Sequence, residues 1–316
     1  MPTERMNVRS TFVGVALLSA LIVAFEAVAI EGALNISDLN LFLVSSLPSL
    51  VAGGFLMIYR PAKTKTFVTT LGRPGWGRML LLCVFVAIGT LTWFDAVSRI
   101  GAGEEAILGG GSSEVLFVVV LSAIFLSERL NAVESVGSLM VIVGVFIVLT
   151  DVRGVKLAIG LGEAEAIFSS LCLGVSVVIS TSLLKKHDVT PLSGVELFLG
   201  GTFVLTYGIV TGQIDLPDST GWIILLFLGL FPALGLWTYN AGLPKIGASL
   251  VSVLFALNGI MTVGVQAIIL LVSPSANIML PSNVALALIG GAVAFSGVYL
   301  INKKDILSDV DKPASG

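Results

Sequence analysis

Charge is scarce in this chain. Only 12% of its 316 residues are Asp, Glu, Lys or Arg, about half the share found in a soluble domain. Histidine occurs once, as His187 in the polar run Lys185-Lys186-His187-Asp188. It reads as a solvated loop residue, and no clustered His, Cys and Asp set with metal-ligand spacing exists. The two cysteines, Cys83 and Cys172, lie in apolar runs and read as small buried hydrophobes, not a disulfide or metal pair. There is no Gly-x-x-x-x-Gly-Lys phosphate loop, which argues against ATP-driven pumping by this chain. No Lys or Arg stands deep in an apolar run, which argues against phosphate sugars and other strong anions as ligands. The net charge of -3 gives no footing for nucleic acid. No catalytic residue, metal or cofactor is expected, and the chain reads as a non-enzyme.

Apolar sequence is abundant. Hydrophobic residues make up 56% of the chain, and the mean hydropathy is +1.03. Ten runs are long enough to be bilayer-crossing helices, at residues 11–33, 39–58, 79–98, 106–126, 132–150, 163–184, 191–211, 221–242, 247–272 and 283–302. The expected fold is an all-α polytopic membrane protein with ten transmembrane helices. Ala27-Val28-Ala29 superficially resembles a signal-peptidase site, but the acid Glu26 just before it argues for a retained first span. With both termini cytoplasmic, fourteen of the 17 Lys and Arg residues fall on the cytoplasmic side. They are Arg5, Arg9, Arg60, Lys63, Lys65, Arg73, Arg78, Arg129, Lys185, Lys186, Lys245, Lys303, Lys304 and Lys312, against only Arg99, Arg153 and Lys156 opposite. That asymmetry obeys the positive-inside rule and predicts a multi-pass protein of the cell membrane, plasma or inner.

An internal repeat organises the runs. Trp93-Phe94-Asp95-Ala96 precedes Arg99-Ile100-Gly101-Ala102, and Thr238-Tyr239-Asn240-Ala241 precedes Lys245-Ile246-Gly247-Ala248 with one extra residue between. The two segments fall at equivalent places in two halves, 1–150 and 151–316, the second ending in a short polar tail. Five spans per half is an odd number, so the copies are expected to be inverted, with a site near the midplane where they meet.

These features resemble the drug/metabolite transporter superfamily, in particular its EamA-type members. The likeness rests on the two five-helix halves and the aromatic-x-Ala turn leading into a small-residue helix start. It rests also on Leu126-Ser127-Glu128-Arg129-Leu130, Gly137 with Gly144, and Gly162-Glu163, and it covers about residues 11–302. The resemblance implies a secondary transporter of a small organic solute, an amino acid or amine, moved outward by alternating access. A multidrug-cation or metal-ion carrier is the alternative within the superfamily; a membrane-embedded enzyme or scaffold is the alternative outside it. Its partners would be the solute and the bilayer, and the protein is expected to be monomeric. The chain departs from the family at Val23-Ala24-Phe25-Glu26, where Trp-Gly is usual, and at Glu114, near a usual proline.

The polar residues inside the runs are the candidate site. A charged side chain at mid-membrane costs about 2.5–3.5 kcal/mol on insertion scales, so it faces a cavity or partner. Glu114, beside Gly109-Gly110-Gly111-Ser112-Ser113, is the main proton-coupling candidate, with Glu26 second. Trp93, Trp237 and Tyr239 can offer ring faces to an ammonium group or serve as interfacial anchors. Asn258, with Ser112 and Ser113, would complete a polar floor. The glycine run suits close packing and would also loosen the helix. Glu163 and Glu165 read as first-turn acids favoured by the helix dipole, and Glu196 as interfacial.

Overall fold

A computed structural model of the chain describes residues 2–35, 37–59, 71–125, 132–148, 150–151, 156–157, 159–246, 248–281 and 283–308. The helices are α1 (Pro2–Asn35), α2 (Leu41–Ile58), α3 (Gly72–Ile100), α4 (Ala102–Leu108), α5 (Glu114–Phe125) and α6 (Ala132–Val148). They continue with α7 (Leu161–Leu184), α8 (Val189–Val210), α9 (Ser219–Leu228), α10 (Leu230–Ile246), α11 (Ala248–Phe255), α12 (Asn258–Val272) and α13 (Val284–Ser308). A π-helical turn, Gly109–Ser113, joins α4 to α5. Between α6 and α7 the described residues form only a two-residue antiparallel ladder, Thr150 with Leu157 and Asp151 with Lys156.

Among the described residues, six segments are long and apolar enough to cross a membrane: Thr11–Asn35, Leu41–Ile58, Gly72–Ile100, Leu161–Leu184, Val189–Val210 and Ser219–Lys245. The remaining apolar runs are shorter or interrupted helices. The fourth is α4, the π turn and α5; the ninth is α11 and α12, broken at Ala256-Leu257. Asn40 starts α2, its Oδ1 accepting from the backbone N–H groups of Phe42 and Leu43 at 3.0 and 3.2 Å, and Asp218 caps α9 through the Gly221 N–H at 2.7 Å. Such caps satisfy amides that the helix itself leaves open. The third helix begins earlier than its apolar run, at Gly72 rather than residue 79. The loop basics Arg60, Lys63 and Lys65, the segment Leu126–Leu130, Arg153, Gly247 and Lys312 lie outside the described residues.

The helices pack mainly in pairs: α1 with α10, α2 with α8, α3 with α7, and α6 with α13. Each pair joins a helix from residues 1–150 to one from 151–316. Lipid offers no hydrophobic drive for such contacts, so close backbone approach carries them. A Cβ at Gly53 on α2 would stand 2.5 Å from the Phe198 backbone nitrogen of α8, and one at Gly144 on α6 would stand 2.5 Å from the Gly290 carbonyl oxygen of α13. Even alanine at either place would push the paired helices apart. Gly101, at φ +82°, turns the chain sharply from α3 into α4, a conformation open to glycine at little cost.

Candidate functional site

Between these helix pairs lies a cavity of about 150 Å³. Its walls come from both halves: Glu26 of α1, Trp93 of α3, Glu105 of α4, Glu114 of α5, Ser170 of α7, Glu196 of α8, Tyr239 of α10 and Asn258 of α12. Four glutamates therefore line one small space. Among the described residues lining it there is no Lys, Arg or His.

The π turn explains how two of the four come together. At about 100° per residue, nine residues along an unbroken α-helix would put Glu105 and Glu114 on opposite faces. A π turn takes up an extra residue, and the Glu114 amide accordingly bonds to the Gly109 carbonyl, five residues back. That shifts α5 in phase, and both carboxyl groups reach the cavity. Glycine at 109 leaves room for this: a side chain there would meet the Glu105 carboxyl group, the Ala166 carbonyl and Ser170 Oγ.

The four acids have different neighbours. Trp93 Nε1 donates to Glu105 Oε2 at 2.6 Å. Asn240 Nδ2 donates to Ser193 Oγ at 2.9 Å and to Glu196 Oε2 at 3.3 Å. Glu26 and Glu114 are 6% and 7% exposed, and among the described residues neither accepts a hydrogen bond or joins an ion pair. Tyr239 packs edge-on against Phe255, with ring centroids 5.1 Å apart, and its hydroxyl lies 3.5 Å from Ser252 Oγ.

Of the residues singled out in the sequence, Glu26, Trp93, Glu114, Tyr239 and Asn258 stand in the cavity wall. Ser112 and Ser113 are buried, but their hydroxyls turn back to the Ile107 and Leu108 carbonyls, both at 2.5 Å. Trp237 is 38% exposed and donates from Nε1 to Thr190 Oγ1 at 3.0 Å; it is not a wall residue. Glu196, expected at an interface, is buried and faces the cavity, and Asn240 of α10 donates to it. Glu165 lies at the rim of α7, in an ion pair with Arg99 at 3.1 Å. Sequence reasoning missed Glu105 and the serines Ser49, Ser169, Ser170 and Ser176 that also line the space. The available signal was a run of small polar residues on α7, Ser169, Ser170 and Ser176, within otherwise apolar sequence.

Comparison with known proteins agrees with the membrane architecture. Residues 11–150 and 160–303 match the model of the EamA-like transporter family. An uncharacterized transporter of Methanothermobacter thermautotrophicus is 24% identical over 287 residues, covering 82% of this chain and 79% of its own length. One protein of known crystal structure shares the fold, with a TM-score of 0.64 at 16% identity over 96% of this chain and 99% of its own.

Proposed function

Because this chain belongs to the EamA-like transporter family, a multi-pass membrane family, we propose that it is a secondary transporter of a small amine-bearing solute. The solute moves by alternating access through the cavity between the halves, outward across the cell membrane, in exchange for a proton. The observation that carries this reading is the cavity wall with four glutamates and no basic side chain among its described residues. Buried acids of this kind mark ion and proton pathways in membrane proteins. The wall also favours an amine over an amino acid, because a zwitterion's carboxylate would meet acids and no cation. A single metal ion fits less well: no three His, Cys, Asp or Glu side chains converge among the described residues. The family points to a transporter rather than an enzyme or scaffold.

The architecture we propose is ten spans in two inverted repeats, residues 1–150 and 151–316. The helix pairing supports it. An inverted two-fold that exchanges the first five spans with the last five maps the second–seventh and fifth–tenth pairs onto themselves. It also maps the first–eighth pair onto the third–sixth, and these four are the pairs that pack most closely. The two interrupted helices, fourth and ninth, correspond under the same operation, and discontinuous helices at a repeat interface commonly hold substrate and coupling ions. The fourteen-to-three distribution of basic residues supports cytoplasmic placement of both termini.

Glu114 is the main coupling residue in this scheme, and Glu26 the second. Both face the cavity without a hydrogen-bond or ion-pair partner among the described residues, so a proton or an ammonium group is what neutralises them. Trp93 and Tyr239 flank the space, where ring faces attract a cation. The test is proteoliposome transport of an amine panel by wild type and Glu114→Gln from acidic to mildly alkaline pH. Glu114→Gln is expected to abolish the pH dependence of net transport and to weaken amine binding. An unchanged rate with an unchanged pH profile would defeat the coupling role and leave Glu114 as a packing residue.

A further inference from the structure

The wall acids do not gather at one point. They come from four helices, and two of them already hold donors: Glu105 takes the Trp93 indole N–H and Glu196 takes the Asn240 amide. Glu26 and Glu114 remain, more than nine-tenths buried, lining the cavity and without a hydrogen-bond or ion-pair partner among the described residues. Glu26 sits beside Gly235 of α10, where a Cβ would lie 3.8 Å from its Oε2. Glu114 directly follows the π turn, beside Gly174 of α7, where a Cβ would approach the Glu114 backbone carbonyl to 3.5 Å. Two carboxyl groups with different neighbours therefore face one space. The surfaces around them are largely apolar, with Val23, Phe94, Leu173, Val177, Leu197 and Leu236 among the wall residues.

We infer that Glu26 and Glu114 form a two-point receptor for a short aliphatic diamine, each carboxylate taking one ammonium group while the apolar wall covers the methylene chain. The inference rests on the transport reading and narrows its substrate class. Three observations favour a diamine over its rivals. A monoamine would leave one of the two carboxyl groups without a partner, and a buried polar group without a partner is costly. A zwitterion would set its carboxylate against acids. A divalent metal would need converging ligands, which the described residues do not supply. Size agrees as well, since a cavity near 150 Å³ is comparable to an engineered one that holds a single benzene. A short chain fits such a space. If each carboxyl gives up a proton when the dication binds, one diamine exchanges for two protons and no net charge moves.

The experiment uses the full-length purified protein and three probes of equal chain length: 1,4-diaminobutane, butylamine and 4-aminobutanoate. Binding is measured by isothermal titration in detergent, and exchange by efflux from proteoliposomes. One lost ammonium–carboxylate pair corresponds to about tenfold or more in affinity. Diaminobutane is therefore expected to bind at least about tenfold more tightly than butylamine, and 4-aminobutanoate more weakly than either. Glu26→Gln and Glu114→Gln should each shrink the diamine preference to near onefold. Circular dichroism and gel filtration confirm that these variants fold. Equal binding of diaminobutane and butylamine, preference for 4-aminobutanoate, or no binding of diaminobutane overturns the inference. The transport reading has a separate fate: butylamine efflux that depends on Glu114 would keep it standing while the two-point receptor falls.

Discussion

Glu26 and Glu31 lie five residues apart on α1, and both are buried. Their surroundings could hardly differ more. Glu31 is 0% exposed and accepts three hydrogen bonds: from the Met279 N–H at 2.5 Å, from Gln266 Nε2 at 2.8 Å, and from the Ala102 N–H at 3.2 Å. It ties α1 to the start of α4, to α12 and to the loop after α12, where Gln266 also donates to the Met279 carbonyl at 3.1 Å. Glu26 has no such partners among the described residues and opens on the cavity. The lesson is that burial of an acid does not by itself mark a transport site. What separates the two is whether the protein already supplies the donors. A satisfied carboxyl group is a clasp between helices; an unsatisfied one waits for a proton or a ligand.

The sharpest way to break this contrast is to remove the clasp. Glu31→Ala leaves the Ala102 and Met279 amides without their acceptor and takes from Gln266 one of its two acceptors. Each buried group left unsatisfied costs about 1–3 kcal/mol, so the variant should lose at least about 2 kcal/mol and melt several degrees lower in detergent. Glu31→Gln keeps one acceptor oxygen and should fall between the two. Wild-type melting of Glu31→Ala would mean that the clasp contributes nothing and that the comparison has no energetic content.

A middle case is Glu105, which faces the cavity like Glu26 yet holds one donor like Glu31. Trp93→Phe removes that donor and keeps a ring against Phe94, now 4.9 Å away edge-on. Interhelical hydrogen bonds in membrane proteins average about 0.6 kcal/mol and reach about 1.7. The melting point should therefore drop modestly, by less than for Glu31→Ala. A drop as large as that of Glu31→Ala would show that Trp93 acts through packing rather than through its bond to Glu105.

The sequence made the class legible because nothing else accommodates so little charge in so much apolar sequence. The described residues are almost all helical, and six of their segments are long and apolar enough to cross a membrane. Three things escaped it, each for a physical reason. Helix phase is one: a single π turn moves Glu114 onto the same side as Glu105, and a 3.6-residue period cannot foresee it. Hydroxyl direction is another: Ser112 and Ser113 spend their donors on the last two carbonyls of α4, an option that serines within helices always have. Distant cover is the third. Glu196 looked interfacial by its place along α8, but Asn240, 44 residues later, folds over it. The same holds for Glu31, whose acceptor role depends on Met279, 248 residues away. Glu26 and Glu114 were visible because an acid deep in an apolar run needs no partner to be noticed.

The smallest effect on stability is expected at Glu26 itself. Glu26→Gln keeps the shape of the side chain and removes a group whose ionised form is expensive so far from water. No hydrogen bond from the protein is lost, because none is present among the described residues. The amide adds a donor, and it can remain hydrated from the cavity side. The melting point should therefore stay level or rise slightly, by the equivalent of about 1 kcal/mol at most on the scale of a single hydrogen bond. The paired measurement with Glu31→Ala gives this its force, since both positions share one helix and both are buried. Near-neutral stability together with a lost diamine preference marks Glu26 as a ligand group. A loss of stability matching that of Glu31→Ala would instead make Glu26 a second clasp, and the distinction between the two acids would collapse.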